Sequence, residues 1–434
     1  MKTTRHDSFA AYVLPSVLAF ALSGLYTIVD GFFIGQSLGD LGLAAITLAY
    51  PAAALLQAVG TGIGLAGAIR CTILQARGEE QTPRTCFSGT VLLLLATSAA
   101  FAAVLLGLLG PVLTVLGAQD EARPLAAEYI RVIACGTAFQ ILATGLVPFI
   151  RNLGGSAFAM VAMGTGFVTN IALDYLFVWE FHWGMAGGAW ATVIGQAATM
   201  LLAIGYLVRR RVGFVPPKAG EVLPLWGALL KVAAAPIGLT FSPNITLMVM
   251  NHFLLRYGGA LAIAVYGCID YVLSTIYMLL QGVGDGSQPL ISVYRGAGDL
   301  RAVRRLRNTN YVVAIALGFV GLGIVYMVRH AIPVLFGASD IAAPVIAYAL
   351  PVFSICYIFY GFTHTTTSFF YAVDDSRSSN MLVVAEAVTV CVVVFVMGRL
   401  FQVDGIWFSP TVLQMLLSIL AGALLYRRHK ARKE

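Results

Sequence analysis

Residues 311–328 read YVVAIALGFVGLGIVYMV, eighteen positions without one charged side chain. At 1.5 Å per helical residue the segment covers ~27 Å, close to the ~30 Å hydrocarbon core of a bilayer. Segment 91–109 has the same character, and 381–398 is broken only by Glu386. These are not isolated patches. The 434-residue chain is 59% hydrophobic and 11% charged, whereas soluble domains carry roughly 25% charged residues. Too few charges exist to coat a water-facing surface of this size, so lipid is the solvent for most of the chain. Short alternating strands of the outer-membrane barrel type are absent from the sequence.

Working outward from that segment, twelve apolar spans follow at 8–35, 42–70, 87–109, 123–150, 157–180, 185–208, 224–255, 260–285, 308–328, 341–370, 379–398 and 404–426. The expected fold is an all-α membrane protein of twelve transmembrane helices. Lys2 and Arg5 before the first apolar run give the N-terminus the look of a signal peptide, with Ala19-Phe20-Ala21 as the cleavage spacing. The run continues to Ile34, too long for an h-region, and reads as an uncleaved first helix. The net charge of +7 sits in short tracts between spans, such as Arg209-Arg210-Arg211 and Arg304-Arg305-Leu306-Arg307. That distribution predicts loops facing anionic membrane lipid and no nucleic-acid partner. With the N-terminus placed in the cytoplasm, 22 of the 27 Lys and Arg residues fall on the cytoplasmic side and 5 on the other. The positive-inside bias thus predicts a cytoplasmic-membrane protein with both termini inside. Cys71, Cys86, Cys135, Cys268, Cys356 and Cys391 form no CxxC pair and read as small buried residues, not as a disulfide or zinc framework.

The chain also repeats itself. Gly117-Ala118-Gln119-Asp120 with Pro124 returns as Gly337-Ala338-Ser339-Asp340 with Pro344, and Gly60, Gly62 and Gly64 return as Gly282, Gly284 and Gly286. Arg77-Gly78-Glu79 loosely matches Ala297-Gly298-Asp299, and each half ends in Arg-Arg. The offset is about 220 throughout. Six spans per half is an even number, so both halves enter the membrane the same way round and form two six-helix lobes related by a parallel pseudo-two-fold. Residues 1–208 make the N-terminal lobe, 209–223 a basic cytoplasmic linker containing Pro216-Pro217, and 224–434 the C-terminal lobe. Transporters with parallel repeats place substrate between their halves.

An ionisable side chain inside a membrane helix costs roughly 3 kcal/mol or more, so each marks a functional candidate. Asp30 lies about six residues, ~9 Å, below the outer end of span 1, and Asp174 is at the same depth in span 5. Thr192 reaches that depth in span 6. Asn170 lies one turn from Asp174 on the same face, and Tyr26 one turn from Asp30. Two adjacent carboxyl groups cannot both stay ionised cheaply, so this layer suits a proton or a monovalent cation. The plain alternative is interhelical hydrogen-bond glue, worth under ~1–2 kcal/mol. In the C-terminal half, Asp270 and Glu386 sit near the midplane, either as contacts for a cationic substrate or as buried neutral acids. Asp285, near the cytoplasmic end of span 8, reads as structural. His182, His252 and His364 stand alone and read as packing residues. No clustered His, Ser or acid set suggests an enzyme, and no resident cofactor is expected.

The motifs together resemble the multidrug and toxic compound extrusion (MATE) transporters over nearly the whole length. The matching stretches are Val29-Asp30-Gly31 with Gly35, Asn170-Ile171-Ala172-Leu173-Asp174, and Gly187-Gly188-Ala189-Trp190-Ala191-Thr192. Gly284-Asp285-Gly286-Ser287-Gln288-Pro289 and Gly296-Ala297-Gly298-Asp299 complete the set. The resemblance, with the bacterial multidrug efflux branch, implies a monomeric antiporter. It would export lipophilic organic cations, drugs and dyes, against H⁺ or Na⁺ by alternating access. It implies a cation or proton-coupling set of Asp30, Asn170, Asp174 and Thr192 with Tyr26 beside it, and a bendable first helix at Pro15, where proline removes a backbone hydrogen bond. Some members carry a glutamate eight residues after a proline like Pro236; here that position is Asn244, which removes the usual basis for a sodium site in the second lobe and leaves Asn244, with Asp270 and Glu386, as candidate substrate contacts. The competing function is a flippase for a lipid-linked precursor, which would want basic residues to hold a pyrophosphate. The span interiors offer acids instead, with Arg131 and Arg256 only near outer ends.

Overall fold

The computed structural model describes residues 9–77, 81–116, 118, 121–335 and 340–430. Both termini, Gly78-Glu79 and most of the blocks 117–120 and 337–340 lie outside the described residues. Every regular element among them is helical: α1 Phe9–Ala76, α2 Gln81–Gly107, α3 Leu109–Val115, α4 Ala122–Cys135, α5 Thr137–Asn152, α6 Ser156–Asp174 and α7 Gly184–Arg209. After them come α8 Ala219–Gly296, α9 Leu300–Val328, α10 Ala331–Leu335, α11 Ala342–Ser354, α12 Cys356–Ala372 and α13 Ser376–Lys430. Helices are what lipid permits, because each backbone N–H finds its carbonyl within the segment. Hydroxyl side chains follow suit: Thr90, Thr97 and Ser98 of α2 donate to the carbonyls of Cys86, Leu93 and Leu94 at 2.8, 2.7 and 2.8 Å.

Nine helical segments among the described residues are long and apolar enough to cross a membrane, and the bent pair α4–α5, which turns by 59° at Gly136, makes a tenth. Segment Ser376–Arg428 is long enough for two crossings. It changes direction at Gln402, whose φ of 53° and ψ of −131° are not helical. The half of α8 after Gly259, where φ is 65°, completes the twelve; its apolarity is diluted by Asp270, Asp285 and Gln288.

Three departures from the sequence reading matter. The backbone at 36–41, where a loop is expected, is helical, so α1 carries both span 1 and span 2, with Pro15 and Pro51 inside it. Span 8 continues beyond 285 to Gly296. Arg151, one residue beyond the expected span 123–150, is buried at the end of α5 with its guanidinium 5.6 Å from the centre of the Phe20 ring.

Two compact units result: Met1–Ile237 with Ser292–Asp299, and Gly238–Ile291 with Leu300–Glu434. In the first, small residues set the crossings. A Cβ on Gly64 would lie 2.2 Å from the Gly145 carbonyl oxygen and one on Gly195 2.7 Å from that of Gly166, so α1–α5 and α6–α7 cross backbone to backbone. The start of α8 packs here too, with Trp226 Nε1 donating to the Gly89 carbonyl at 3.0 Å. In the second unit, Gly318 and Gly361 give α9 and α12 the same kind of contact against Tyr357 and Ala314.

Candidate cation site

The close crossing of α6 and α7 decides where the polar residues meet. A Cβ on Gly195 would also touch the Asn170 side chain at 3.1 Å. This places Asn170 against the turn of α7 that carries Thr192, and Asn170 Nδ2 donates to Thr192 Oγ1 at 3.4 Å. One turn outward, Gly188 leaves room for Ile34 of α1 and lies 3.9 Å, measured from a built Cβ, from Asp174 Oδ1. Helix α1 thereby approaches α6, and the Asp30 and Asp174 carboxyl groups come within hydrogen-bond reach of each other. Tyr26 stacks on Phe167, ring centres 5.1 Å apart.

Burial is nearly complete: Asp174 is 0% exposed, Asn170 2%, Thr192 6% and Asp30 8%. Four oxygen atoms in this group, Asp30 Oδ1, Asp174 Oδ1 and Oδ2, and Asn170 Oδ1, receive no hydrogen bond. A buried acceptor without a donor costs ~1–3 kcal/mol, more when charged. Four in one place form a receptor for something that donates or is positive. Asp174 is also the last α-helical residue before a π-helical turn, Tyr175–Glu180. Such turns are rare and recur at functional sites; no feature of the sequence announced it.

Tyr129 of α4 was missed in sequence. It is 3% exposed, within hydrogen-bond reach of Thr192 and near both acids. Its signal was present, since a tyrosine hydroxyl inside a span needs a polar partner, but periodicity cannot say which way it points.

In the second unit the candidates stay apart. Asp270 is half-buried on α8 within reach of Tyr266. Glu386 on α13 accepts a hydrogen bond from Gln414 Nε2 at 3.3 Å. Asn244 is half-buried on α8. Asp285 is buried and accepts from the Tyr371 hydroxyl at 2.5 Å. Among the described residues no group of three or more His, Cys, Asp or Glu side chains is placed to hold a metal ion.

Twelve apolar crossings, duplicated in sequence, with a buried acid pair in one half, define a polytopic membrane transporter. The MatE family model matches the chain twice, over residues 15–176 and 236–397, and the chain belongs to that family. The multidrug export protein MepA of Staphylococcus saprophyticus is 24% identical over 431 residues, spanning 96% of this chain and 92% of the relative. MepA of Staphylococcus aureus is 23% identical over 420 residues with the same coverage. Among solved structures, an outward-facing multidrug resistance MATE transporter of the MOP superfamily aligns with a TM-score of 0.90 at 19% identity, over 98% of this chain and 96% of that one. A MOP superfamily transporter from Pyrococcus furiosus, described for the reverse polarity of its binding pocket, aligns with 0.89 at 19% identity over the same shares.

The two family matches start 221 residues apart, between the offsets of the repeated blocks, 220 for Gly117 and Gly337 and 222 for Gly60 and Gly282. Over offsets of 220 to 222, Asp30 falls on Met250, Asn251 or His252 and Asp174 on Val394, Phe395 or Val396, none of them acidic. The acid pair is therefore single-copy, and the two halves are chemically unequal.

Proposed function

We propose that this chain is a secondary antiporter that exports lipophilic organic cations in exchange for H⁺ or Na⁺ by alternating access, with Asp30, Asp174, Asn170 and Thr192 as the coupling site. The observation that carries the reading is the cluster of four buried, donor-less acceptor oxygens on α1 and α6, with Thr192 of α7 beside them. A proton shared by the two carboxyl groups, or a Na⁺ ringed by carboxylate, amide and hydroxyl oxygens, satisfies it. A bound ion shifts a conformational equilibrium only by its differential affinity for the two states. Helix α1 carries Asp30, with Pro15 about three turns before Tyr26, so neutralising the pair changes how α1 packs on α6 and α7. The multidrug export names of the Staphylococcus relatives support the substrate class, and the 22-to-5 distribution of basic residues supports two cytoplasmic termini.

Two experiments follow. Epitope tags at both termini and in 209–223 are expected to be accessible only from the cytoplasm. Single cysteines at positions 39 and 337 are expected to react with an impermeant maleimide from outside. An externally accessible linker with an internal C-terminus would refute the two-lobe topology. For substrate charge, we assign Asp270 as an anionic contact. Asp270→Asn should lower efflux of a monovalent lipophilic cation about tenfold, the ~1.4 kcal/mol scale of a lost charge-assisted contact, and leave a neutral substrate within about twofold. Equal loss for both, with poor expression, would reassign Asp270 to structure.

A further inference from the structure

Helix α9 is tightly packed on one side and open on another. A Cβ on Gly318 would stand 3.0 Å from the Tyr357 carbonyl oxygen, and one on Gly321 3.1 Å from Ile276 Cγ2. Two residues further on, a Cβ on Gly323 would meet nothing within 4 Å. Opposite this open side the neighbouring helix is interrupted. Helix α11 ends at Ser354 and α12 starts at Cys356, with Pro351 inside the last turn of α11. Proline has no backbone N–H to donate, so the helix is weakened there. Thr411 of α13 donates to the Val352 carbonyl at 3.4 Å and pins the break.

Between α9 and this break lies a groove of about 460 Å³. Phe319, Gly323 and Tyr326, at i, i+4 and i+7, share the α9 face that lines it, and Pro351 and Ile355 line it from the other side. Seven residues of helix make that wall ~10 Å long. Phe319 and Tyr326 are each 56% exposed, so the groove lies on the surface of the second unit. Among the described residues no acid lines it, and Asp340 stands eleven residues before Pro351.

A cation marks one end. Arg329 follows Tyr326 by three residues, and its guanidinium carbon lies 4.3 Å from the centre of the Tyr326 ring. Its Nε donates to His330 Nε2 at 3.1 Å, which fixes the plane of the guanidinium. Among the described residues no carboxylate pairs with it. Arg329 is also one of the five basic residues that the expected topology leaves on the outer side, so the positive-inside bias does not account for it. An apolar slot with an unneutralised guanidinium at its end matches a hydrocarbon chain that carries an anion. Arg is suited to that anion, because its planar fork fits phosphate oxygens. A lipophilic cation would be repelled by Arg329, and a free phosphate would leave the slot unfilled.

We propose that this groove binds one anionic glycerophospholipid, with an acyl chain lying along Gly323 between α9 and the α11–α12 break and the phosphate on the Arg329 guanidinium. The groove is open before the lipid arrives, because Pro351 and Gly323 shape it from the backbone. The site therefore retains one lipid of defined charge where the rest of the surface exchanges lipid freely.

The test is native mass spectrometry of the delipidated full-length chain in detergent. It is titrated with dioleoyl phosphatidylglycerol, with dioleoyl phosphatidylcholine, or with glycerol 3-phosphate. One phosphatidylglycerol is expected to be retained in preference to phosphatidylcholine, and glycerol 3-phosphate not at all. Arg329→Gln should weaken phosphatidylglycerol binding about fivefold, the scale of one basic residue at a membrane surface, and leave phosphatidylcholine unchanged. Gly323→Leu fills the slot and should abolish the preference with Arg329 intact. Gly205→Leu, at an equally open position on α7, should change nothing. Both test positions lie outside the packed core, so the variants are expected to fold. Equal retention of the two lipids by the unaltered chain would overturn the proposal, as would an unchanged preference in Arg329→Gln or in Gly323→Leu. Retention of glycerol 3-phosphate alone, displacement of the lipid by tetraphenylphosphonium, or a two-chain species that excludes the lipid would overturn it too.

Discussion

Asp30→Asn is expected to abolish gradient-driven efflux while leaving the fold intact. The carboxyl group is 8% exposed and opposes Asp174, which is 0% exposed. An asparagine fills the same volume, carries no charge, and can donate to one of the open Asp174 oxygens. It imitates the ion-loaded form permanently, and a carrier that cannot leave one state cannot cycle. Asp174→Asn should behave alike. The loss should reach two orders of magnitude or more, about 2.7 kcal/mol in effective barrier. The double mutant should be no worse than either single, because residues that act as one unit are non-additive. Thr192→Ala removes only a neutral oxygen and the 3.4 Å bond from Asn170, so a loss of about tenfold or less is expected. Transport is measured in vesicles at matched expression, with substrate binding followed in parallel. Robust coupled efflux by the double mutant would remove the site from the mechanism.

The largest effect on stability is expected at Gly64. A Cβ there would sit 2.2 Å from the Gly145 carbonyl oxygen and 2.5 Å from Gly145 Cα. No rotamer relieves a clash with backbone, so α1 and α5 must separate along a crossing whose neighbour Gly60 is equally tight against Thr144 and Ile141. Gly64→Val should cost about 3 kcal/mol or more, seen as loss of monodisperse protein and a lower thermal midpoint in detergent. Gly205 of α7 has nothing within 4 Å of a built Cβ. Gly205→Ala should be neutral or stabilising by up to about 1 kcal/mol through helix propensity alone. Equal tolerance at the two positions would mean that the α1–α5 crossing is not a backbone contact.

Much of this was legible in the residues because membranes simplify the code. Length and apolarity gave the spans, and duplicated glycines gave the repeat that the family match places at 221 residues. Depth along the expected spans 1, 5 and 6 was enough to predict that Asp30, Asp174, Asn170 and Thr192 share a layer, because each span end is fixed by the bilayer. Rotation about a helix axis was not legible, since a span bathed in lipid on one side and protein on the other need not show a polar face. That is why Tyr129 was overlooked. The helical backbone at 36–41 was missed for another reason: Gly35, Gly39 and Gly42 look like turn residues, yet a helix pairs each backbone N–H with a carbonyl of its own segment there too.

The most direct measurement uses the purified chain reconstituted in proteoliposomes, loaded with a fluorescent lipophilic cation, under an imposed proton gradient or an imposed sodium gradient in separate runs. The account predicts uphill movement of the dye against whichever ion couples, with no movement in the Asp30→Asn/Asp174→Asn chain under either gradient. Dye transport that ignores both gradients, or that persists undiminished in the double mutant, would contradict it.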